Sequence, residues 1–145
     1  MARMEKSVDI NRPVEEVFAY ATDIKNWPKW HETIMEAEQT SAGELGVDTT
    51  FKGKASMEGR TAEFTGKMVE YDPNKRSRKV MDFGNFTNED ELTFEPIDGG
   101  TRFTLAYDVK VHGFAKLLSS RLNSAMRKEL EQAMNSLKTI LETQS

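Results

Sequence analysis

The sequence predicts an α+β protein in which a long C-terminal helix covers one face of an antiparallel β-sheet. Before His112, apolar and polar residues alternate in several runs, a pattern typical of half-buried strands. From Phe114 onward, apolar residues recur every three or four positions without an internal glycine or proline, which indicates an amphipathic helix. The chain has 145 residues, which fits a single domain covering residues 1–145.

The composition is that of a globular protein and argues against several kinds of site. Hydrophobic residues make up 37% and charged residues 30% of the chain, with a net charge of -4. Cysteine is absent and the histidines are His31 and His112, so neither a metal site nor a cofactor is predicted. The acidic balance argues against nucleic acid as a partner. No apolar stretch reaches the roughly 20 residues of a membrane span, so a cytoplasmic location is expected.

One strand and two short helices are predicted at the start of the chain. Val8 and Ile10 alternate with polar residues and indicate a short strand within residues 4–11. Pro13, followed by two glutamates, begins a helix that ends near Thr22. A second short helix is expected within residues 23–30.

The middle of the chain predicts two more strands and then a hairpin. Residues 32–40 form one predicted strand, followed by a loop through Gly46, and the alternation over residues 51–57 gives the next strand. A two-residue turn at Glu58-Gly59 pairs the residues on either side of it. The predicted pairs are Gly53 with Phe64 and Ala55 with Ala62.

The last hairpin is predicted from Asp98-Gly99, a strong signal for a tight turn. Its register gives four pairs on one face of the sheet: Phe94 with Phe103, Leu92 with Leu105, Asp90 with Tyr107 and Asn88 with Val109. Because side chains on one face recur every second residue, the polar Asn88 and Asp90 enter the same face as the apolar residues.

The strand over residues 75–83 has two possible registers. Either Met81 and Phe83 face inward, or Val80 faces inward with the charged Arg78 and Asp82. The first is favoured, because apolar side chains would otherwise be wasted on the solvent face. The basic cluster at the start of this strand is interpreted as a solvated hairpin end and not as an anion site. Its members are Lys75, Arg76, Arg78 and Lys79.

The C-terminal helix is predicted to begin near Phe114 and to run for about 28 residues, or about 42 Å. Its polar positions mix basic and acidic residues, Lys128, Glu129 and Glu131 among them, as in a helix face exposed to solvent. Membrane contact is therefore expected only transiently, in the case of a lipid carrier.

The element order and four phrases of the sequence resemble the START-like helix-grip superfamily (SRPBCC), in its polyketide cyclase/dehydrase and lipid-transport branch. The phrases are Val8–Phe18, Asp23–Trp30, Val69–Pro73 and Gly99–Thr104. The resemblance covers nearly the whole chain. It implies a curved antiparallel sheet, with two short helices after the first strand, wrapped around a long C-terminal helix. It also implies a cavity between sheet and helix for a small hydrophobic molecule such as a lipid, a sterol-like compound, a quinone or an aromatic polyketide.

Small or flexible residues at inward positions would keep such a cavity roomy, although the same residues also suit an ordinary packed core. The predicted ligand contacts are Trp30, His31, Phe51, Gly53, Ala55, Ala62, Phe64, Met81, Asn88, Leu92, Leu105, Leu122 and Met126. Two of them have a plain structural alternative. Trp30 can instead anchor its helical turn to the core, and His31 can simply bond a neighbouring carbonyl group.

Asp90 and Tyr107 are the candidate catalytic residues. A carboxyl and a phenol side by side on an apolar face can orient a ligand oxygen, and a desolvated carboxyl group can exchange protons with a substrate. The alternative is that Asp90 lies at the open end of the sheet, bonded to Tyr107 or to water.

Three functional hypotheses follow. The first is the binding of a small hydrophobic molecule in the cavity. The second is a cyclase or dehydratase that uses Asp90 and Tyr107 on an aromatic or polyketide-like substrate. The third is a partner-binding module with a filled core, which acts through an exposed sheet edge or the helix. The sequence predicts no oligomeric state.

Overall fold

The computed structural model describes residues 2–57, 59–113 and 119–143. Seven strands form one antiparallel sheet in the order β1-β7-β6-β5-β4-β3-β2. The strands are β1 (Ala2–Ile10), β2 (Ile34–Gln39), β3 (Thr50–Met57), β4 (Arg60–Asp72), β5 (Arg76–Asp82), β6 (Phe86–Ile97) and β7 (Gly100–Val111). The helices are α1 (Val14–Thr22), α2 (Trp27–Trp30) and α3 (Ser119–Thr143), with a short 3-10 turn at Ile24–Asn26. The predicted fold class is confirmed.

Both predicted hairpin registers are confirmed. Gly53 pairs with Phe64 in the first hairpin, and Phe94 pairs with Phe103 in the second. Gly59 and Gly99 occupy the turns with φ of +79° and +82°, a conformation that favours glycine. Glu58, the other predicted turn residue of the first hairpin, lies outside the described residues.

The strand β5 adopts the favoured register with one addition. Met81 is buried, as expected, and Lys79 is buried beside it with 3% of its surface exposed. Residues two apart on a strand share a face, so the register that turns Met81 inward also turns Lys79 inward. The interpretation of Lys79 as part of a solvated basic cluster is therefore wrong.

The helix α3 packs against the inner face of the sheet through an apolar stripe. The buried members of this stripe are Met126, Leu130, Ala133, Met134, Leu137 and Leu141. Near its C-terminal end, Glu142 Oε2 accepts a hydrogen bond of 2.8 Å from the Asn11 amide, which joins the helix to the residues after β1. Residues 114–118, where the helix was expected to begin, lie outside the described part of the chain.

The helices α1 and α2 close one end of the interior. Phe18 of α1 contacts Phe94 edge to face, with ring centroids 5.0 Å apart. Trp27 and Trp30 of α2 are 1% and 0% exposed, and Trp27 lies edge-on to Phe51. None of the described helices combines the length and the apolar character that a membrane crossing requires.

Candidate ligand-binding site

A cluster of polar side chains is buried between the sheet and α3, beside the apolar core. Each member is at most 7% exposed. The members are His31 after α2, Lys79 on β5, Asn88 and Asp90 on β6, Tyr107 on β7 and Glu129 on α3. The alternation along β6 explains two of them, since Asn88 and Asp90 share the inner face with Leu92 and Phe94.

Glu129 lies at the centre of one half of this cluster. Its Oε1 atom is 2.7 Å from Nδ1 of His31, and its Oε2 atom accepts a hydrogen bond from the Tyr107 hydroxyl. One carboxylate therefore joins α3 to the end of α2 and to β7. This contradicts the expectation that Glu129 lies on a solvent-facing side of the helix.

The surroundings of Glu129 favour its charged form. Burial alone raises the pKa of a carboxyl group, but His31, the Tyr107 hydrogen bond and Lys79 together hold the pKa of Glu129 below its ordinary value. Burial, followed by the negative charges of Glu129 and Asp90, raises the pKa of Tyr107 well above its ordinary value. Tyr107 therefore stays protonated, and its hydroxyl group donates a hydrogen bond to Glu129.

Lys79 and Asp90 form the other half of the cluster. Lys79 Nζ lies 2.8 Å from Asp90 Oδ2 and 4.6 Å from the ring centroid of Trp27. Asp90 stands opposite Lys79 on one side and opposite Tyr107 on the other. Because the ammonium group is the stronger partner for a carboxylate, Asp90 bonds to Lys79. In the alternative interpretation, Asp90 bonds to Tyr107 or to water; among the described residues its partner is Lys79, and the Tyr107 hydroxyl bonds to Glu129.

Two buried oxygen atoms of this cluster lack a hydrogen-bond partner among the described residues. They are Asn88 Oδ1 and Asp90 Oδ1. Both residues line a cavity of about 30 Å³, together with His31, Tyr107 and Glu129. This volume corresponds to about one water molecule. The indole nitrogens of the two buried tryptophans are also unpartnered in the described residues, but neither tryptophan lines the cavity.

An open cleft of about 670 Å³ adjoins this cavity. The cleft lies between α3 and the segments around β2 and β3, and it shares Thr33, Met57 and Glu129 with the cavity wall. Its other lining residues are Glu32, Ser56, Arg121, Ser124, Ala125, Lys128 and Gln132. The space available to a molecule thus consists of a wide outer cleft and a small inner cavity beside the polar cluster.

The structure brings part of the predicted contact set to the cavity. On its wall lie His31, Ala55, Met81, Asn88 and Met126, with the candidate catalytic residues Asp90 and Tyr107. Away from the cavity and the cleft lie Trp30, Phe51, Gly53, Ala62, Phe64, Leu92, Leu105 and Leu122. Most of this second set belongs to the packed core.

Gly53 shows why the interior is less roomy than expected. A Cβ atom at this position would lie 2.2 Å from the Glu36 carbonyl oxygen and 2.5 Å from the ring of Phe64. The absent side chain therefore makes room for Phe64 and for the neighbouring strand. Gly53 lines neither the cavity beside the polar cluster nor the adjoining cleft.

Sequence reasoning missed Lys79 and Glu129, although the sequence contained a signal for each. Lys79 shares the parity of Met81, and Glu129 lies three positions after Met126 and four before Ala133, within the apolar stripe of α3. Among the described residues, no group of three or more acidic or histidine side chains could hold a metal ion.

Comparison with known proteins identifies the family. Residues 1–142 match the family model described as polyketide cyclase / dehydrase and lipid transport. A structure from Thermus thermophilus is similar, with 21% identity, 97% of each chain covered and a TM-score of 0.81. The Zhui aromatase/cyclase from a Streptomyces species shares 12% identity over 97% of this chain and 93% of that chain, with a TM-score of 0.84. One more similar structure is BexL, a di-domain aromatase/cyclase, with 17% identity over 96% of this chain and 46% of that chain, and a TM-score of 0.75. The chain belongs to the polyketide cyclase/dehydrase and lipid transport family.

Proposed function

We propose that this protein binds a small, mainly apolar molecule whose body lies in the cleft and whose polar end reaches the buried cluster. The observation that carries this proposal is that Asn88 and Asp90, two residues that line the adjoining cavity, each have a buried and unpartnered side-chain oxygen, Oδ1. A buried polar atom without a partner costs about 1–3 kcal/mol, so a bound group that bonds to these atoms would stabilise the protein.

The dimensions support this division of the ligand into a body and a polar end. Pockets for small molecules measure roughly 300–1,000 Å³, a range that contains the cleft at about 670 Å³. The inner cavity, at about 30 Å³, has room for one oxygen-sized group. Met57 lines both spaces and Met126 lines the inner one, and methionine side chains change shape readily. Membership of a family named for cyclisation, dehydration and lipid transport supports the same proposal.

A titration with an aromatic alcohol tests the proposal. Isothermal titration calorimetry with 2-naphthol should show saturable binding to the wild-type protein. Ala125→Trp, which fills the cleft from α3, should weaken that binding by about tenfold or more. Ala19→Trp is the matched control, because Ala19 is an exposed helical alanine on α1 that touches neither space. The absence of saturable binding, or equal binding by Ala125→Trp, would count against the proposal.

A second candidate function is cyclisation or dehydration of the bound molecule, with Tyr107 and Asp90 at the reacting group. The favouring observation is that Tyr107 and Asp90 both line the cavity, where the phenol is held in a fixed orientation by Glu129. Two of the similar structures, Zhui and BexL, are named as aromatase/cyclases, which supports the same chemistry. We place binding first, because Lys79 already neutralises the Asp90 carboxylate and Glu129 already accepts a hydrogen bond from the phenol.

Turnover measurements separate the two candidates. If the protein is a cyclase, Tyr107→Phe and Asp90→Asn should lower kcat on an aromatic polyketide-like substrate by about a hundredfold, the usual contribution of a general acid or base. Binding of 2-naphthol by the same variants reports whether the site is still formed. Full turnover in both variants would remove the proposed catalytic roles.

A further inference from the structure

The unpartnered atoms on the cavity wall are both of one chemical kind. Asn88 Oδ1 and Asp90 Oδ1 are hydrogen-bond acceptors, and the described residues supply no donor for either. Two donors of the cluster are engaged elsewhere, since Lys79 bonds to Asp90 Oδ2 and the Tyr107 hydroxyl bonds to Glu129. A group that enters this cavity therefore meets two residues whose side-chain oxygens have a free capacity to accept a hydrogen bond.

The charges around the cavity favour an uncharged donor. Lys79 forms an ion pair with Asp90, and His31 Nδ1 lies 2.7 Å from Glu129 Oε1. A further buried charge, such as an ammonium or a carboxylate group on the ligand, would carry a large desolvation penalty. A carbonyl or ether oxygen has no hydrogen atom to donate to Asn88 Oδ1 or Asp90 Oδ1.

We propose that the ligand enters the cavity with a hydroxyl group, which donates a hydrogen bond to Asp90 Oδ1 or Asn88 Oδ1. This inference rests on the proposed function and narrows its ligand class to phenols and apolar alcohols, in preference to ketones, quinones and carboxylic acids. The two acceptors stand two positions apart on β6, roughly 7 Å along the strand, so one hydroxyl satisfies one of them.

A pair of matched probes tests the inference. We expect 2-naphthol to bind to the wild-type protein about tenfold or more tightly than 2-methoxynaphthalene, which has the same rings and no donor. Calorimetry measures both affinities under identical conditions. Equal or tighter binding of 2-methoxynaphthalene overturns the hydroxyl inference and leaves the proposed function standing. Binding of neither probe overturns both.

Two variants assign the preference to this cavity. Asn88→Leu removes one acceptor, and Lys79→Met/Asp90→Leu removes the other together with its buried partner, so that no charge is left unpaired. One of these variants lacks the oxygen to which the ligand hydroxyl donates. In that variant, the affinities for 2-naphthol and 2-methoxynaphthalene should become nearly equal. Thr87→Val, on the opposite face of β6, is the matched control and should keep the full preference. A preference that is unchanged in both acceptor variants overturns the assignment.

Discussion

The interior between the sheet and α3 has an apolar half and a polar half, and β6, β7 and α3 contribute residues to both. On β6, Leu92 and Phe94 belong to the apolar half, and Asn88 and Asp90 belong to the polar half. On α3, every buried position from Leu130 to Leu141 is apolar. Glu129, the residue directly before Leu130, is buried and acidic.

The difference shows which half stabilises the fold and which half is left open to a ligand. In the apolar half, the Phe94 ring contacts the rings of Phe18 and Phe103, with centroids 5.0 and 5.2 Å apart. In the polar half, Asn88 Oδ1 and Asp90 Oδ1 remain unpartnered beside a cavity. Packed rings gain free energy from burial, and unpartnered polar atoms lose it.

The largest expected effect is a cavity in the apolar half. Phe103→Ala removes a fully buried ring that contacts Trp30 and Phe94. We expect the free energy of unfolding to fall by about 3–5 kcal/mol, which urea denaturation followed by circular dichroism would measure. A loss below about 1 kcal/mol would show that this half is not the main source of stability.

The second-largest expected loss of stability comes from leaving a charge unpaired in the polar half. Lys79→Met leaves the Asp90 carboxylate buried without its counterion and should lower the free energy of unfolding by about 3 kcal/mol. The double variant Lys79→Met/Asp90→Leu should recover most of that loss, since both charges are then gone. A double variant as unstable as the single one would mean that the pair itself stabilises the fold.

The pH dependence of stability reports on the polar half, because Glu129 and Tyr107 are the titratable groups with shifted pKa values in it. Because the pKa of Glu129 is lowered by folding, its contribution is present above the ordinary value of 4.5 and is lost as pH falls through the folded pKa. Because the pKa of Tyr107 is raised, its contribution is present below pH 10.0 and is lost as pH rises through the folded pKa. Thermal denaturation across pH should therefore show an acid and an alkaline decline.

Two conservative variants assign these declines. Glu129→Gln should flatten the acid decline, and Tyr107→Phe should flatten the alkaline one. The groups that face Glu129 are His31 from α2, Tyr107 from β7 and Lys79 from β5, so the acid decline reports this cluster as a whole. An acid decline that is unchanged in Glu129→Gln would place its origin elsewhere in the chain.

The smallest effect serves as a reference on the solvent face of the sheet. Lys52 and Glu38 form an ion pair of 3.3 Å, with 59% and 66% of their side chains exposed. Lys52→Ala should change the free energy of unfolding by less than about 1 kcal/mol, because water and salt screen such pairs. Urea denaturation at low and high salt would check this, and a change comparable to that of Lys79→Met would contradict the comparison.

The sequence predicted the apolar half better than the polar half. The turn at Asp98-Gly99 set the register of the last hairpin, and from it the pairing of Phe94 with Phe103 and of Asp90 with Tyr107. Local signals of this kind decide strand registers, because the alternation of side chains has a period of two. They do not predict to which of two neighbouring side chains a buried carboxylate bonds.

The partners of the polar half were missed because they come from distant parts of the chain. His31 and Glu129 are 98 positions apart, and no periodicity reports that they meet. The free volume could not be predicted from the sequence either. A glycine such as Gly53 suggests space for a ligand, but in the structure the Phe64 ring lies against it. A chemical pairing between separate elements depends on tertiary packing.

The edge position of β1 has a consequence for the order of folding during synthesis. Within this sheet β1 is made before the other strands, and its one neighbour is β7, through pairs such as Val8 with Phe103 and Ile10 with Thr101. At about 5–20 residues per second, the roughly 90 residues between paired positions take about 5–20 s to emerge. During this time β1 has no neighbouring strand, so the pairing of its backbone groups and the burial of its apolar side chains are completed only when β7 has been made.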